Sequence, residues 1–490
     1  TAVGKQQFQQ IFADRAAAFS DPVWEVGFLQ SRLTSSEVCN VRFTRWRTST
    51  DPLPAHYADV VKSWLLLNPE SPHNWSEKAD ALRIFYEVLR QRHKRFEWAA
   101  LSEEDVRQTE VWLGKRYARA TTYARTNTIL QLARFLDGRS ICRPLYYTVQ
   151  TPCPSKAIFT EEARTRRRQR LPSKQALEGL ADVYSRFAES PPDRLRAAAV
   201  AILAVTGFRI SELLTLPVEC EVEENHKGHR VYGIRYFKEK AKTPGKGFDV
   251  RWLTPLQAEL ARQAIAEIRQ LTHAARVRAK ILETNDLEVP IPGVQSDDKL
   301  YARDVMQLLG LKRVDTVHGA LARKHIPRYG YEKKYYYLGK DVATYLRHKR
   351  VKHLWTVNMG NGRYQMLSES LFVVFCEFFF PNRRTLSLLV EPVRKQQVND
   401  FLTSHGEGRS IFDRFDIREP DGSLCRMTTH QFRHWINDLA DKGGLPTDVL
   451  TRWMGRDNPR DTNAYKHATM DERLAWVKQG IQDGELAGAM

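Results

Sequence analysis

Between about Ala55 and Asp137, apolar residues recur at helical spacing, punctuated by Pro69, Pro72 and a start signal at Ser102–Asp105, so four or five helices are expected. The Ser-Glu-Glu-Asp run has the form of a capping box. ATTYARTNTILQLARFL is amphipathic, with Lys115, Arg116, Arg119 and Arg125 expected to be exposed nearby. Residues 1–55 show little periodicity and read as an arm or extension. Further on, LPSKQALEGLADVYSRF and DRLRAAAVAILAVTG are helical by spacing, and the second, apolar nearly all round, is expected to be buried. Val231–Phe237 and Asp249–Leu253 are strand-like runs on either side of a lysine-rich turn. The stretch from Tyr301 to Arg350 predicts two short helices, a tyrosine-rich strand pair around Gly330 and a third helix. Its small core would draw on Val305, Leu308, Leu309, Val317, Leu321 and Ile326. SESLFVVFCEFFFPN is apolar enough for a buried helix or a strand, and both stay open. The fold class is therefore α+β, mainly α with a small β-sheet.

The chain has 490 residues, which suggests about three folding units. Its formal net charge of +18 suits a polyanionic partner, with nucleic acid first and an acidic membrane surface second. No run of 18 or more apolar residues and no signal-peptide pattern is present, so no membrane partner is expected. A cytoplasmic protein is expected, associated with the nucleoid in a prokaryote. Six cysteines are scattered without a CxxC pair, and the histidines form no HExxH, so neither a metal nor another cofactor is expected. RFTRWRTSTDPLP, with Trp46, fits either a DNA-touching arm or a solvated one. Residues 151–170 combine prolines with an arginine-rich end and read as a basic interdomain linker.

The segment TTHQFRHWINDLADKGGLPTDVLTRWMGRDNPRDTNAYKH carries the strongest chemical signal. His430 and Arg433, three apart on an expected helix, share a face. Arg209 stands in AVTGFRISELLTL, where an apolar helix breaks at Gly207. Two arginines, a histidine and Tyr465 are what nucleophilic attack on a phosphodiester requires: cations for the non-bridging oxygens and a hydroxyl to form the covalent link.

TGFRISEL, HQFRH and WMGRDNPRDTNAYKH, in that order and spacing, resemble the arginine box, the His-x-x-Arg box and the nucleophile segment of the tyrosine recombinase (phage integrase) family. The resemblance covers roughly residues 56–295 and 390–490. It implies a helical core-type DNA-binding domain at 56–150 and a catalytic domain at 171–490. It also implies that Arg209 and Arg433 clamp the scissile phosphate, that His430 assists proton movement and that Tyr465 attacks. A catalytic lysine is implied on the hairpin, for which Lys242 is chosen, with Lys240 and Lys238 close enough to compete. Nine residues before the nucleophile the family has histidine or tryptophan, and this chain has Arg456, which can still donate to a phosphate oxygen in bidentate fashion.

Residues 296–390 depart from the family as an insertion, part of which resembles a MerR-type winged helix-turn-helix. Leu474, Val477 and Ile481 recur after Tyr465 with helical spacing, like a helix that docks on a neighbour. The expected function is a site-specific recombinase or integrase of a mobile element, acting as a homotetramer on double-stranded DNA, with accessory proteins as further partners. A type IB-like topoisomerase or hairpin-forming resolvase, and a catalytically silent DNA-binding regulator, are the alternatives.

Overall fold

A computed structural model describes residues 1–13, 17–26, 40–46, 49–68, 74–153, 165, 169–238, 247–285, 288–330, 335–351, 353–360, 362–380, 384–403, 409–456, 458–463 and 465. The chain forms two compact units, Thr1–Leu33 with Glu37–Ile158, and Phe159–Met490.

In the first unit, α1 (Ala2–Ile11) and an antiparallel pair, β1 (Val23–Glu25) and β2 (Asn40–Arg42), precede four helices. These are α2 (Ala55–Leu67), α3 (Trp75–Arg92), α4 (Glu103–Gly114) and α5 (Arg119–Asp137). The capping box forms: Ser102 Oγ accepts from Asp105 N, and Asp105 Oδ2 accepts from Ser102 N at 3.1 Å. The described part of residues 1–55 is not a solvated arm. Phe8, Trp24 and Phe43 are buried in one core with Tyr57, Trp64 and Phe85. Lys62 helps to tie them there, donating to Phe19 O at 2.7 Å and facing the Phe43 ring at 5.0 Å. The aromatic anchors are too sparse and their strands too short to leave a period in the sequence. Of the four expected surface cations, Arg125 is half-buried, with its guanidinium 4.1 Å from the Tyr117 ring centroid.

The second unit begins with α6 (Lys174–Asp182), α7 (Pro191–Thr206) and α8 (Ile210–Leu214). An antiparallel sheet follows, β3 (Glu221–His226), β4 (His229–Phe237) and β5 (Phe248–Leu253), and then α9 (Pro255–Thr284). Helix α7 is the buried spine that its composition predicts: Leu195, Ala198, Ile202 and Leu203 are fully covered. Ser190 caps it, Pro191 and Pro192 suit its first turn, and Gly207 ends it in the left-handed conformation at φ 62°.

Next come β6 (Lys299–Tyr301), α10 (Ala302–Leu308), α11 (Asp315–Ala322), β7 (Tyr336–Leu338) and α12 (Gly339–Lys349). Two hairpins complete this stretch, β8 (Trp355–Gly360) with β9 (Arg363–Met366), and β10 (Val373–Cys376) with β11 (Leu386–Pro392). Helices α13 (Lys395–Leu402), α14 (Ile411–Arg414), α15 (Thr429–Lys442), α16 (Thr447–Trp453) and α17 (Pro459–Asn463) follow. The apolar run left open between helix and strand is thus the short strand β10, led in by a single 3₁₀ turn.

Two cores share helix α9. Its first half contributes Ala261, Ile265 and Ile268 to the core around α7. Its second half contributes Ala275, Ala279 and Leu282 to another core with Val305, Leu321, Val342 and Leu346. The stretch expected as one insertion, 296–390, is accordingly divided: Leu371, Phe372 and Val374 are buried in the α7 core, not in the second one. Arg278 on α9 clips the ends of the stretch together, donating to Pro290 O at 2.7 Å and Leu388 O at 3.0 Å.

Replacing Arg278 with Met keeps its stem and removes both bonds, leaving the buried carbonyl of Leu388 unpaired at about 1–3 kcal/mol and freeing the part-buried one of Pro290. Hydrogen exchange should therefore speed up in β11 and around 289–300 while that of α7 stays unchanged.

Candidate active site

Arg209 follows the turn after α7 and starts α8, where its own N–H donates to Glu212 Oε2 at 2.8 Å and its guanidinium reaches Glu212 Oε1 at 2.6 Å. Glu212 is buried, and its other face lies 3.6 Å from Arg433 Nη1. One carboxylate thus joins the two arginines that lie more than two hundred residues apart in sequence.

Helix α15 carries His430 and Arg433 on one face, one turn apart, as the spacing predicts. The Arg433 side chain is wholly buried, donating to Gly207 O at 2.8 Å and Met454 O at 2.7 Å. Both acceptors belong to turns built on glycine. Gly207 needs its positive φ to stop α7, and Gly455, at φ 65°, would place a Cβ 2.3 Å from Tyr236 Oη. Alanine at either position would tilt the carbonyls that hold Arg433.

Beyond Gly455, Arg456 turns inward and is 6% exposed. It donates to Asn437 Oδ1 at 2.9 Å and Thr462 Oγ1 at 3.1 Å, and its guanidinium lies 4.1 Å from the Tyr465 ring centroid. Among the described residues, Nε of Arg433 and both Nε and Nη2 of Arg456 are buried without a hydrogen-bond partner. The Tyr465 ring also lies 5.7 Å from His430 and 4.6 Å from His434. A cleft of about 440 Å³ opens over it, lined by Gln169, Arg170, Thr428, His430, Gln431, His434 and Tyr465. The structure brings together Arg209, His430, Arg433, Arg456 and Tyr465.

Lys242 and its competitor Lys240 lie outside the described residues. Lys238, at the stem of that hairpin, is ion-paired to Asp249 at 3.1 Å. Its Cε would lie 3.3 Å from a Cβ on Gly455, so the hairpin stem reaches the turn that carries Arg456.

Three participants went unassigned in the sequence. His434 lies closer to Tyr465 than His430 does, and its i+4 spacing from His430 was the available signal. Glu212, three residues after Arg209, carried no assignment in the sequence, and its burial between two arginines is what gives it one. Arg251 on β5 is fully buried between the rings of Phe208, Tyr236 and Trp453, and it donates to Trp453 O. Strand alternation puts it on the same face as Leu253, a charged residue pointing inward.

Burial, and then Arg433, pushes the Arg456 guanidinium down to about 9; burial likewise pushes Arg433 down to about 10, with Glu212 acting against it. A guanidinium remains protonated at neutral pH nonetheless. Burial thus leaves these cations short of solvation, a deficit that an anion beside them would relieve. Burial and the neighbouring Arg433, Arg209, Arg170 and Arg456 also lower the His430 pKa, which favours the neutral imidazole.

No protein-family model matches the chain, and no curated protein does. The chain is similar to site-specific recombinases of known structure. XerH site-specific recombinase bound to palindromic difH substrate, in a post-cleavage complex, is 12% identical, with 87% of this chain and 83% of that one covered and a TM-score of 0.41. The Tn1549 transposon integrase in complex with a circular intermediate DNA is 12% identical over 86% and 98%, with a TM-score of 0.42. XerA recombinase is 12% identical over 87% and 98%, with a TM-score of 0.21. Likeness at this level leaves function to the geometry of the site. No described helix is long and apolar enough to cross a membrane.

A tetrahedral dianion should bind beside Arg433 and Arg456, whose guanidinium groups both lie near the Tyr465 ring. Sulfate at about 100 times its Kd should add about 2.7 kcal/mol of stability, read as a rise in Tm over a chloride control of equal ionic strength. Arg456→Gln should lose at least half of that rise.

Proposed function

We propose that this protein cuts and rejoins double-stranded DNA at a specific site, with Tyr465 as the nucleophile. The observation that carries this reading is a tyrosine ring set against a buried guanidinium and two imidazoles, beside guanidinium donors with no acceptor among the described residues. Tyr465 Oη attacks phosphorus, its proton passes to a neutral imidazole of His430 or His434, and the bond to the 5′-oxygen breaks. That oxygen takes up a proton, for which Lys242 is the expected donor. The DNA 3′ end remains as a phosphotyrosine ester. A 5′-hydroxyl can then reverse the step, and because one phosphoester replaces another, no nucleotide hydrolysis is needed. Arg209, Arg433 and Arg456 stabilise the charge that grows on the non-bridging oxygens, each donor being worth roughly 10²- to 10³-fold in rate.

A nicked suicide duplex should trap the ester as a slower band in denaturing electrophoresis. Tyr465→Phe should abolish the band and keep DNA binding, and Arg456→Ala should slow its appearance roughly 10²-fold or more. Since the His430 pKa is lowered, its neutral form persists below about pH 6.5, the ordinary histidine value. Trapping should therefore hold level from pH 8 to 6.5 and decline only in more acid solution. A rate that climbs as the pH falls through 6 would rule out His430 as the proton acceptor.

Pairing of two duplexes, which separates a recombinase from a topoisomerase, is supported by an apolar groove. Leu180, Tyr184, Val200, Leu260, Phe432 and Trp435 line a cavity of about 520 Å³, and its surroundings continue to Leu256 and Leu439, both exposed. The tail expected to dock on a neighbour, with Leu474, Val477 and Ile481, lies outside the described residues. In our reading the tail of a second copy fills this groove within a tetramer, as part of the recombination machinery of a mobile element. Replacing Leu474 and Val477 with Asp should leave suicide-substrate trapping within about twofold while abolishing strand exchange between two duplexes. Unimpaired exchange would favour another means of assembly.

A further inference from the structure

Helix α8, with Arg209 at its start and Glu212 in its first turn, is only five residues long. A helix that short is not held by its own bonds, because nucleation is unfavourable and there is almost no length over which to propagate. Its first end is fixed by the turn at Gly207 and by the bonds between Arg209 and Glu212. Its last end leaves main-chain carbonyls without partners in the helix, and each must be met elsewhere. Thr215 Oγ1 donates to Ser211 O at 2.8 Å and Glu212 O at 3.3 Å, and Leu216 N donates to Leu213 O at 3.0 Å. The next two carbonyls are met by a distant segment. Gln365 Nε2, on β9, donates to Thr215 O at 3.0 Å, 150 positions away in sequence, and Leu371 N donates to Leu216 O at 2.8 Å. Val218 N extends the seam to Glu369 O at 2.8 Å.

Gln365 is the side chain at the centre of this seam, and it is buried. Its Nε2 also lies 3.0 Å from Thr356 Oγ1 and 3.0 Å from Ser370 Oγ, and these two buried hydroxyls bond each other at 2.6 Å. An amide and two hydroxyls out of water are costly unless each finds a partner, so the cluster favours one placement of the segments that carry it. Those segments are anchored on the far side as well. Leu367 is buried in the core built on the second half of α9, and Leu371 in the core around α7. Glu283, near the end of α9, accepts from Ser368 N at 2.8 Å and from Ser368 Oγ at 2.6 Å. Residues 365–371 therefore run from the end of α9 to the end of the arginine helix.

We propose that Gln365 is a positioning residue for the arginine pair. It acts through Thr215, whose hydroxyl braces the carbonyls of Ser211 and Glu212, and so sets the pose of α8. The Glu212 carboxylate lies between Arg209 and Arg433, so a tilt of α8 moves the partner of both guanidinium groups at once. The proposal rests on the reading of these arginines as the groups that stabilise the non-bridging oxygens. It makes a segment that departs from the recombinase pattern part of the machinery.

The test uses the full chain and two nicked suicide duplexes carrying a sequence that the chain selects from a random pool. One has a natural scissile phosphate; the other has a methylphosphonate there, which is uncharged and draws less on the guanidinium groups. Gln365→Leu should slow trapping about 10- to 100-fold on the phosphate but at most about threefold on the methylphosphonate, with duplex affinity within about twofold of the parent's. Thr215→Val loses only a hydroxyl, and should show the same pattern in smaller measure even if the leucine variant fails to fold. Arg278→Met, which loosens the same stretch at its ends, should keep the parental rate on both duplexes. Equal loss on the two duplexes, a matching loss in Arg278→Met, or parental rates in Gln365→Leu and Thr215→Val would overturn the proposal. A parental chain that forms no ester, or a Tyr465→Phe chain that does, would sink the nucleophile instead. The arginine pair is then read without DNA: the rise in Tm with sulfate should reach its half-point at a concentration about threefold or more above the parent's in Gln365→Leu. An unchanged half-point would overturn the positioning role.

Discussion

The site depends on how a protein keeps several guanidinium groups out of water with few acids beside them. Taking a charge from water costs several kcal/mol even after relaxation, so each must be met by an oppositely charged or strongly polar group. Glu212 meets two, Arg209 and Arg433. The remaining demand falls on main-chain carbonyls: those of Gly207 and Met454 for Arg433, and that of Trp453 for Arg251. Such carbonyls point inward only if the chain turns sharply at 207 and 455, which is why glycine with positive φ occupies both positions. Backbone geometry and electrostatics here are one constraint.

The arrangement also explains why the site is assembled from such distant parts. Helix α7 is apolar enough to be buried whole, so whatever follows its end is held rigidly. Helix α15 is amphipathic, and its polar edge is what meets that end. The hairpin of β4 and β5 adds Arg251 beneath the turn and brings Lys238 up to its rim. Arg209 is held by Glu212 three residues on, whereas Arg251 and Arg433 are held by groups distant in sequence.

Much of this was legible before the fold. The apolar run of 197–205 marked the spine, and the three-residue spacing of His430 and Arg433 marked a shared helix face. Arg456 could be singled out only by its distance from Tyr465; nothing local shows that it is buried beside Asn437 and Thr462, because those contacts cross turns. Arg251 was missed because a strand this short gives only two inward positions from which to read a period. The burial of aromatic residues within 1–55 was hidden for a related reason: Trp24 and Phe43 are single anchors, and Lys62, which packs over them, reads as a surface residue in its helix. The division of 296–390 between two cores was also hidden, since a run such as Leu371–Val374 is equally apolar whichever core receives it.

Helix α9 is thirty residues long, about 45 Å at 1.5 Å per residue. One half is bonded by packing to the core that carries the arginines, and the other to the core that carries α11. A rigid strut of that length, built into both cores, fixes the spacing between them. Sequence length alone would not set that span, since the loops can grow or shrink while the strut does not.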